Sequence, residues 1–297
     1  MVTEVLVGLD CRPGRLYVDG TVGEGGHATA ILDRTAPDGK LWGLDQDPAA
    51  LESAAARLAR HTSRFQLFHR SYTQLGELLE EAKMAGVAGI LLDLGLSSQQ
   101  LEHSHRGFSF AGDEPLDMRF NPDSPRPTAA RILNTASEQT LEKIFRDYGE
   151  ERRARRIARL VVRNRRQKPF ETTKQLVEVI EQAQGPGGRR GRLHPATRVF
   201  QALRIAVNLE LEQLAEFLEH TPAWLEPGGR LVVISYHSLE DRLVKQRMLA
   251  WERAGVMRRV TKKPLTPTLE ELRRNPRARS AKLRIAEKNP PGEGNGT

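Results

Sequence analysis

The clearest potential ligand site in this sequence is a glycine-rich turn near its start. The turn spans residues 20–26, between a predicted strand and a predicted helix. Glycines let the backbone approach a ligand closely, and a helix N-terminus offers unpaired N–H groups. The spacing Gly23-x-Gly25-x-x-Ala28 also fits the looser dinucleotide-binding fingerprint. The turn therefore indicates a nucleotide-like ligand, with a tight turn that binds nothing as the alternative.

An acidic residue about twenty positions further on bears on the choice of ligand. Asp45 ends the second predicted strand, residues 40–45. A carboxylate there can accept two hydrogen bonds from a ribose 2′,3′-diol. NAD and S-adenosylmethionine both carry such a ribose, so Asp45 predicts a nucleoside cofactor without deciding between the two. A surface aspartate at a strand end is the alternative.

Two further features favour S-adenosylmethionine over NAD. Asp19 ends the first predicted strand, where its carboxylate can help hold a cationic amino-acid and sulfonium group. Residues 257–263 and 281–287 are predicted to be a late antiparallel pair of strands. Such a pair after a fifth parallel strand is typical of how a methyltransferase sheet ends.

The elements that carry these residues predict an α/β fold. Short apolar strands alternate with helical patterns over the first hundred residues, and residues 88–94 form an almost unbroken apolar run. This rhythm predicts a doubly wound parallel sheet with right-handed crossovers. It stops near residue 100 and resumes at residues 228–235. The sequence therefore predicts a Rossmann-like class I methyltransferase sheet from residues 1–105 and 201–297, with an inserted all-helical lobe at residues 106–200.

The predicted lobe contains a helix capped by Ser137, a strongly basic helix that starts at Glu150 and a third helix that starts at Thr172. A Gly/Arg linker is predicted at residues 185–192, and a long helix from His194 through about Leu218 then leads out of the lobe. Nine of the seventeen residues 152–168 are Arg or Lys. Apolar residues at helical spacing, among them Ile157 and Val161, would face a core, so the basic side chains would face outward. A solvated charged face is the alternative to an RNA-backbone surface. Further arginines follow at positions 189, 190, 192 and 198, so we predict RNA contacts. The predicted contact residues are Arg155, Arg159, Arg163 and Arg166.

Six segments together resemble one known family, the bacterial ribosomal RNA small subunit methyltransferase H family. The resemblance covers nearly the whole chain, and the combined motifs are highly specific. The segment that usually precedes Glu4-Val5-Leu6 in that family is missing here, which indicates either a misplaced start codon or a lost edge element. The matching segments are residues 17–27, 89–101, 106–119, 194–205, 233–242 and 275–284.

This resemblance implies S-adenosylmethionine-dependent methylation of the exocyclic N4 of a cytidine in 16S rRNA, near the decoding centre. Tyr72 stands where the family often has Phe, which keeps an aromatic ring for stacking. The cofactor contacts that the resemblance implies are Gly25, Gly26, His27, Asp45, Tyr72, Asp93 and Gln100.

The methyl acceptor site is less clearly marked in the sequence. An amine whose lone pair is delocalised into a cytosine ring needs a group that orients it and receives a proton. Many amino-methylating enzymes use an Asp/Asn-Pro-Pro-aromatic turn after the fourth strand, and here that turn reads Asp93-Leu94-Gly95-Leu96. The candidate acceptors are Asp93, Asp117, Ser235, Tyr236 and His237, and among them we predict that Asp117 or His237 is the orienting group. Asp117 in a pair with Arg119, and His237 in a purely structural role, are the alternatives.

Composition limits the remaining choices. The formal net charge of +8 and the pI near 9.9 favour an anionic partner, with nucleic acid first. The family resemblance implies that this partner is 16S rRNA within the small ribosomal subunit. The single cysteine, Cys11, excludes an internal disulfide framework and a Cys-based zinc cluster. We expect no metal site, no membrane association and a cytoplasmic location. Two rivals remain: a methyltransferase acting on DNA or another RNA, and a non-catalytic rRNA-binding assembly factor.

Overall fold

The chain forms two compact units. The computed structural model describes residues 1–185 and 194–290. One unit, called here the sheet unit, consists of Met1–Gly95 and Leu211–Thr297, and the other, the helical unit, of Leu96–Glu210. The helical unit is ten residues longer at each end than the predicted lobe. Within the described residues, no helix has both the length and the apolar character needed to cross a membrane.

The sheet unit contains a single seven-stranded sheet. The strand order is β3-β2-β1-β4-β5-β7-β6. Strands β1 to β5 are mutually parallel, whereas β7 pairs antiparallel with both β5 and β6. This arrangement confirms the doubly wound sheet and its late antiparallel pair. The strands are β1 Leu16–Asp19, β2 Lys40–Asp45, β3 Phe65–His69, β4 Val87–Asp93, β5 Leu225–Ser235, β6 Met257–Arg259 and β7 Lys282–Lys288.

Both faces of this sheet are covered because side chains alternate along each strand. Tyr17, Leu91 and Val232 pack into one apolar cluster, while Val18 and Ile90 pack into another on the opposite face. These strands read as nearly continuous apolar runs because they are covered on both sides. The helices of the sheet unit are α1 Val2–Leu9, α2 Gly26–Arg34, α3 Pro48–Leu58, α4 Leu75–Glu81, α12 Ser238–Arg253 and α13 Leu269–Arg274, and α11 Glu210–Trp224 begins at the boundary between the units.

The helical unit has its own apolar core. Buried residues from all its longer helices contribute to this core, including Leu141, Ile157 and Phe200. Ser137 caps α7, and Thr172 caps α9 with a reciprocal capping box, as the sequence indicates. The helices are α5 Ser98–Glu102, α6 Ala129–Thr135, α7 Glu138–Asp147, α8 Ala154–Arg165, α9 Thr173–Gln184 and α10 Ala196–Asn208.

Two helix predictions were wrong. The basic helix begins at Ala154, not at Glu150, because Glu150 has a positive φ of 47° that a continuous helix cannot contain. The predicted long helix from His194 to Leu218 is two helices, α10 and α11. Leu209 between them has φ 53° and ψ 44°, a left-handed conformation that ends α10. Of the predicted linker 185–192, only Gly185 is described; Arg189, Arg190 and Arg192 lie outside the described residues.

Candidate functional site

The site residues of the sheet unit lie where the strand order reverses. Strand β1 has β2 on one side and β4 on the other, and a doubly wound sheet binds its ligands in the crevice at such a point, beyond the carboxyl ends of the strands. Asp19, Asp45 and Asp93 are the last residues of β1, β2 and β4. The fold therefore brings three predicted carboxylates to one edge of the sheet.

The glycine-rich turn after β1 is held in place by both neighbouring strands. The Gly20 N–H donates to the Leu91 carbonyl at 2.9 Å, and the Val22 N–H donates to the Leu44 carbonyl at 3.0 Å. Gly25 precedes α2 with φ 78°, and a side chain there would come within 3.3 Å of Ala54 Cα. Glycine is therefore required at this position, and no side chain caps the N-terminus of α2.

Asp45 is oriented by the backbone around it. Its Oδ2 accepts from the Gly23 N–H at 2.9 Å, and its Oδ1 accepts from the Asp47 N–H at 2.9 Å. Desolvation by burial raises the pKa of Asp45 to about 6, although these backbone hydrogen bonds oppose the rise. An ionised carboxylate has about four acceptor sites, so Asp45 can still accept from a ribose hydroxyl group.

Asp19 is the most deeply buried of the three carboxylates. It is 1% exposed, and its Oδ1 accepts from the Thr21 N–H at 3.2 Å. Burial raises the pKa of Asp19 to about 7; the charge of His27 opposes the rise, and the charges of Asp93 and Asp45 add to it. A cation bound beside Asp19 would favour its ionised form.

Asp93 lies between two aromatic side chains. Its Oδ1 accepts from the Tyr236 hydroxyl at 2.9 Å, and its Oδ2 lies 3.3 Å from His27 Nε2. The Asp93 N–H donates to Thr21 Oγ1 at 2.7 Å, which ties the end of β4 to the turn after β1. The Asp93 carboxylate is thus fixed on both oxygens and remains partly accessible.

His27, at the start of α2, is half-buried and has an unsatisfied ring nitrogen. Burial by itself lowers the pKa of His27, but the hydrogen bond to Asp93 and the negative charges of Asp93 and Asp19 outweigh it, so its pKa is raised. The Nδ1 atom of His27 is buried without a hydrogen-bond partner among the described residues. A buried polar atom of this kind is expected where a ligand supplies the missing partner.

Tyr72 lies beside the turn, with its ring in the core. A Cβ added at Gly20 would lie 3.0 Å from Tyr72 Cβ. The Tyr72 ring packs edge-to-face on Phe217 with centroids 5.2 Å apart, and the residue is 8% exposed. The predicted stacking on a cofactor base stays a prediction.

Two other predicted site residues belong to the helical unit. Gln100 completes a capping box with Ser97: it receives the Ser97 N–H on Oε1 at 3.1 Å, and its own N–H donates to Ser97 Oγ at 3.1 Å. Asp117 forms a bidentate ion pair with Arg119, with distances of 2.8 and 2.7 Å. The alternative given for Asp117 is therefore present. The proposed roles of Gln100 and Asp117 in binding and catalysis stay predictions.

His237, which follows β5, is the N-cap of α12. Its Nδ1 accepts from the Glu240 N–H at 3.4 Å, and its Nε2 lies 3.1 Å from Glu240 Oε1 without hydrogen-bond alignment. A neutral imidazole that accepts on Nδ1 carries its proton on Nε2. His237 in this state can donate a hydrogen bond but cannot accept one from an amine.

The basic residues of α8 lie on its outer side. Ala154, Ile157, Ala158 and Val161 are buried, which confirms an apolar stripe on the inner side. Arg165 is not part of the outer surface, because its Nη1 donates to the carbonyls of residues 133 and 136. Exposed along the outer side, at helical spacing, are Arg155, Arg159, Arg163 and Arg166.

Known proteins resemble this chain over its whole length. The family model described as the MraW methylase family matches residues 1–289. A ribosomal RNA small subunit methyltransferase H of Geobacter sulfurreducens is 49% identical, over 97% of this chain and 97% of its own. One of Syntrophotalea carbinolica is also 49% identical, over 96% and 95%. The chain belongs to the MraW methylase family.

Members of this family are S-adenosylmethionine-dependent methyltransferases, and the residues of the sheet unit fit that cofactor. Asp45 can accept hydrogen bonds from ribose hydroxyls, and buried Asp19 suits a cationic group. The left-handed Gly25 leaves room for close backbone approach, and His27 Nδ1 lacks a partner. The crystal structure of an rRNA methylase from Streptococcus thermophilus matches with a TM-score of 0.45 and 11% identity, over 97% of this chain and 94% of that one.

Thr21 and Tyr236 both hold Asp93 in place, and the sequence did not predict this role for either of them. Thr21 fixes the backbone of Asp93 through its hydroxyl, and Tyr236 holds the carboxylate of Asp93. Tyr236 was only one of several acceptor candidates, although its place directly after β5 marks it. Nothing in the sequence distinguishes Thr21 from an ordinary turn residue.

Proposed function

We propose that this protein transfers a methyl group from S-adenosylmethionine to the N4 amine of a cytidine in 16S rRNA, near the ribosomal decoding centre. One observation carries the proposal: relatives 49% identical over 95–97% of both chains bear the name ribosomal RNA small subunit methyltransferase H. The three carboxylates at the carboxyl edge of the sheet independently support one part of the proposal, the binding of the methyl donor.

The first task of the site is to hold the methyl donor. Asp45 accepts hydrogen bonds from the ribose, while Asp19 stabilises the positive charge of the amino-acid and sulfonium part. The backbone of the Gly25 turn provides close contact without side-chain bulk. When bound, S-adenosylmethionine supplies an electrophilic methyl group.

The second task is to orient a weakly nucleophilic amine. We propose Asp93 for this role because it ends β4 at the carboxyl edge of the sheet, where the methyl donor would bind. Asp117 instead forms a bidentate pair with Arg119, and His237 caps α12 through Nδ1. Asp93 ends the central strand β4, and its carboxylate is fixed by Tyr236 and His27. It can accept a hydrogen bond from the N4 amine, align the lone pair and stabilise the positive charge that develops there.

The third task is to bind a large polyanion. The exposed arginines of α8 suit the phosphate backbone of rRNA, and the small ribosomal subunit is the proposed partner. A substrate of this kind is consistent with the cytoplasmic location that the sequence predicts.

The proposal is tested with purified protein and a labelled methyl donor. Small ribosomal subunits, free 16S rRNA and DNA are offered as substrates, and we expect labelled N4-methylcytidine from one of the two rRNA substrates. Label in DNA alone, or in no substrate, would contradict the proposal. In single turnover at saturating donor, Asp93→Asn should slow transfer by about 10²–10⁴-fold, whereas Asp117→Asn should stay near the wild-type rate.

A further inference from the structure

A second concentration of positive charge, besides that of α8, lies near the end of the sequence. Residues 258–288 contain eleven Arg or Lys and three Glu, an excess equal to the formal net charge of the whole chain, +8. This segment comprises β6, β7 and the connection between them, all in the sheet unit. It is therefore separate from the basic helix α8 of the helical unit.

Some of these cations stabilise the strand pair itself. The buried Asp241 accepts from two of them, which fixes the start of β7 to α12. Charges engaged in this way are not available to a partner. The pairs are Arg258 with Glu287 at 2.8 Å, Arg259 with Glu252 at 2.6 Å, Lys282 with Asp241 at 2.9 Å and Arg284 with Asp241 at 2.7 Å.

Other cations lie in the connection between β6 and β7, residues 260–281, called here the basic connection. Lys263, Arg273 and Arg279 are exposed and have no ion pair or hydrogen bond within the part of the chain that the structure describes. Arg274 pairs only with the exposed Glu270 of the same helix, a type of pair that contributes little to stability. Leu269 is 78% exposed beside them. The basic connection therefore exposes positive charges that form no stabilising ion pair within the described residues.

The topology of the sheet places this connection next to the crevice. Because β7 runs antiparallel to β5, its first residue, Lys282, pairs with Ser235 at the carboxyl end of β5. That is the edge at which Asp93 lies. Burial raises the pKa of Tyr236, and the charge of Glu271 in α13 adds to the rise, as expected if α13 lies near this edge.

We propose that the basic connection is a second RNA-contact surface, which binds the phosphate backbone of the substrate beside the crevice of the sheet unit. The inference rests on the proposed function and adds the surface that holds the RNA on the methyl-donor side. Arginine and lysine side chains without acidic partners suit phosphate, and releasing counterions from RNA favours such contacts. A surface at the crevice edge can hold the strand on which the target base lies.

The test compares two triple variants in binding to a transcribed 16S rRNA fragment at several salt concentrations. The first is Lys263→Gln/Arg273→Gln/Arg279→Gln. The matched control, Arg34→Gln/Lys40→Gln/Lys83→Gln, removes the same charge from exposed positions at the opposite, amino edge of the sheet. Loss of three phosphate contacts should flatten the slope of log K against log salt by about two to three, and the control should keep the wild-type slope.

Equal slopes for the two variants would overturn the proposal. So would a defect that appears with assembled small subunits but not with rRNA alone, since that result indicates a ribosomal protein as the partner. If the first variant does not fold, ultraviolet crosslinking of wild-type protein to the fragment decides: crosslinks in residues 262–280 support the proposal, and crosslinks only elsewhere overturn it. A failure of the proposed function is recognised separately, because the wild type would then bind RNA without methylating it.

Discussion

The carboxyl edge of the sheet carries two carboxyl groups that folding makes costly to ionise. Asp19 and Asp45 both have raised pKa values because they are removed from water. Proteins keep such groups where function requires them. Here the function is to bind a cofactor that brings ribose hydroxyls and a positive charge.

Asp45→Ala should weaken S-adenosylmethionine binding. Removal of hydrogen bonds to a charged acceptor costs about 1.5–3 kcal/mol. Isothermal titration calorimetry measures the loss directly. Asp38→Ala, which changes an exposed carboxylate at the amino edge of the sheet, is the matched control and should leave the affinity unchanged. Unchanged affinity in Asp45→Ala would refute the ribose assignment, and tight NAD binding by the wild type would refute the cofactor.

Asp19→Asn should increase the free energy of unfolding of the ligand-free protein relative to the wild type, and this difference should grow as the pH rises. The folded wild type binds this proton up to about pH 7, whereas an exposed aspartate loses it near pH 4, so the wild type loses stability across that window. An asparagine avoids that loss, which amounts to at most about 4 kcal/mol for three pH units. Chemical unfolding at pH 4 and pH 8 measures the effect.

The same substitution should weaken cofactor binding, since the neutral side chain no longer attracts a cation. Asp38→Asn serves as the control for both measurements. If Asp19→Asn gained no stability between pH 4 and pH 8, Asp19 would not be a buried carboxylate of raised pKa.

His237 caps helix α12, and substitutions there show whether it also takes part in the reaction. His237→Ala should destabilise the protein by about 1 kcal/mol, because α12 loses its N-cap. His237→Asn supplies another capping side chain and should restore both stability and the single-turnover rate. If His237→Asn restored stability but its rate stayed at least tenfold below that of the wild type, His237 would be the group that orients the amine, as the sequence predicts.

Helix α8 permits an equally direct test of the RNA surface in the helical unit. Changing Arg155, Arg159, Arg163 and Arg166 together to Gln should weaken RNA binding and leave cofactor affinity unchanged. If about three phosphate contacts are lost, the slope of log K against log salt flattens by about two to three. Ile157 and Val161 remain, so the buried side of the helix is kept. A wild-type slope would identify the arginines as a solvated surface.

At the scale of the whole molecule, local patterns predicted the elements well where one physical cause dominates. The run at β4 is apolar because both faces of the strand are buried, and Ser137 and Thr172 mark helix starts because their side chains cap them. Leu209 was not predictable in the same way. A leucine in the left-handed conformation is held there by tertiary structure, and its residue type gives no signal.

Part of the candidate site was also predictable from local sequence patterns. Strand ends and glycines identify Asp45, Asp93 and the turn, because a parallel sheet aligns its carboxyl ends. The bond from the Asp93 N–H to Thr21, and that from Tyr236 to Asp93, join residues 72 and 143 positions apart. Contacts at such separations depend on the closed fold, so no local pattern reveals them.

Mass spectrometry of 16S rRNA fragments from cells with and without the protein tests the proposed methylation in its natural setting. The account predicts one cytidine near the decoding centre that carries an N4-methyl group only when the protein is present. Cells that produce the Asp45→Ala variant should show much less of this modification at a matched protein level. Identical methylation with and without the protein, or a lost methyl group on another base, would contradict the account.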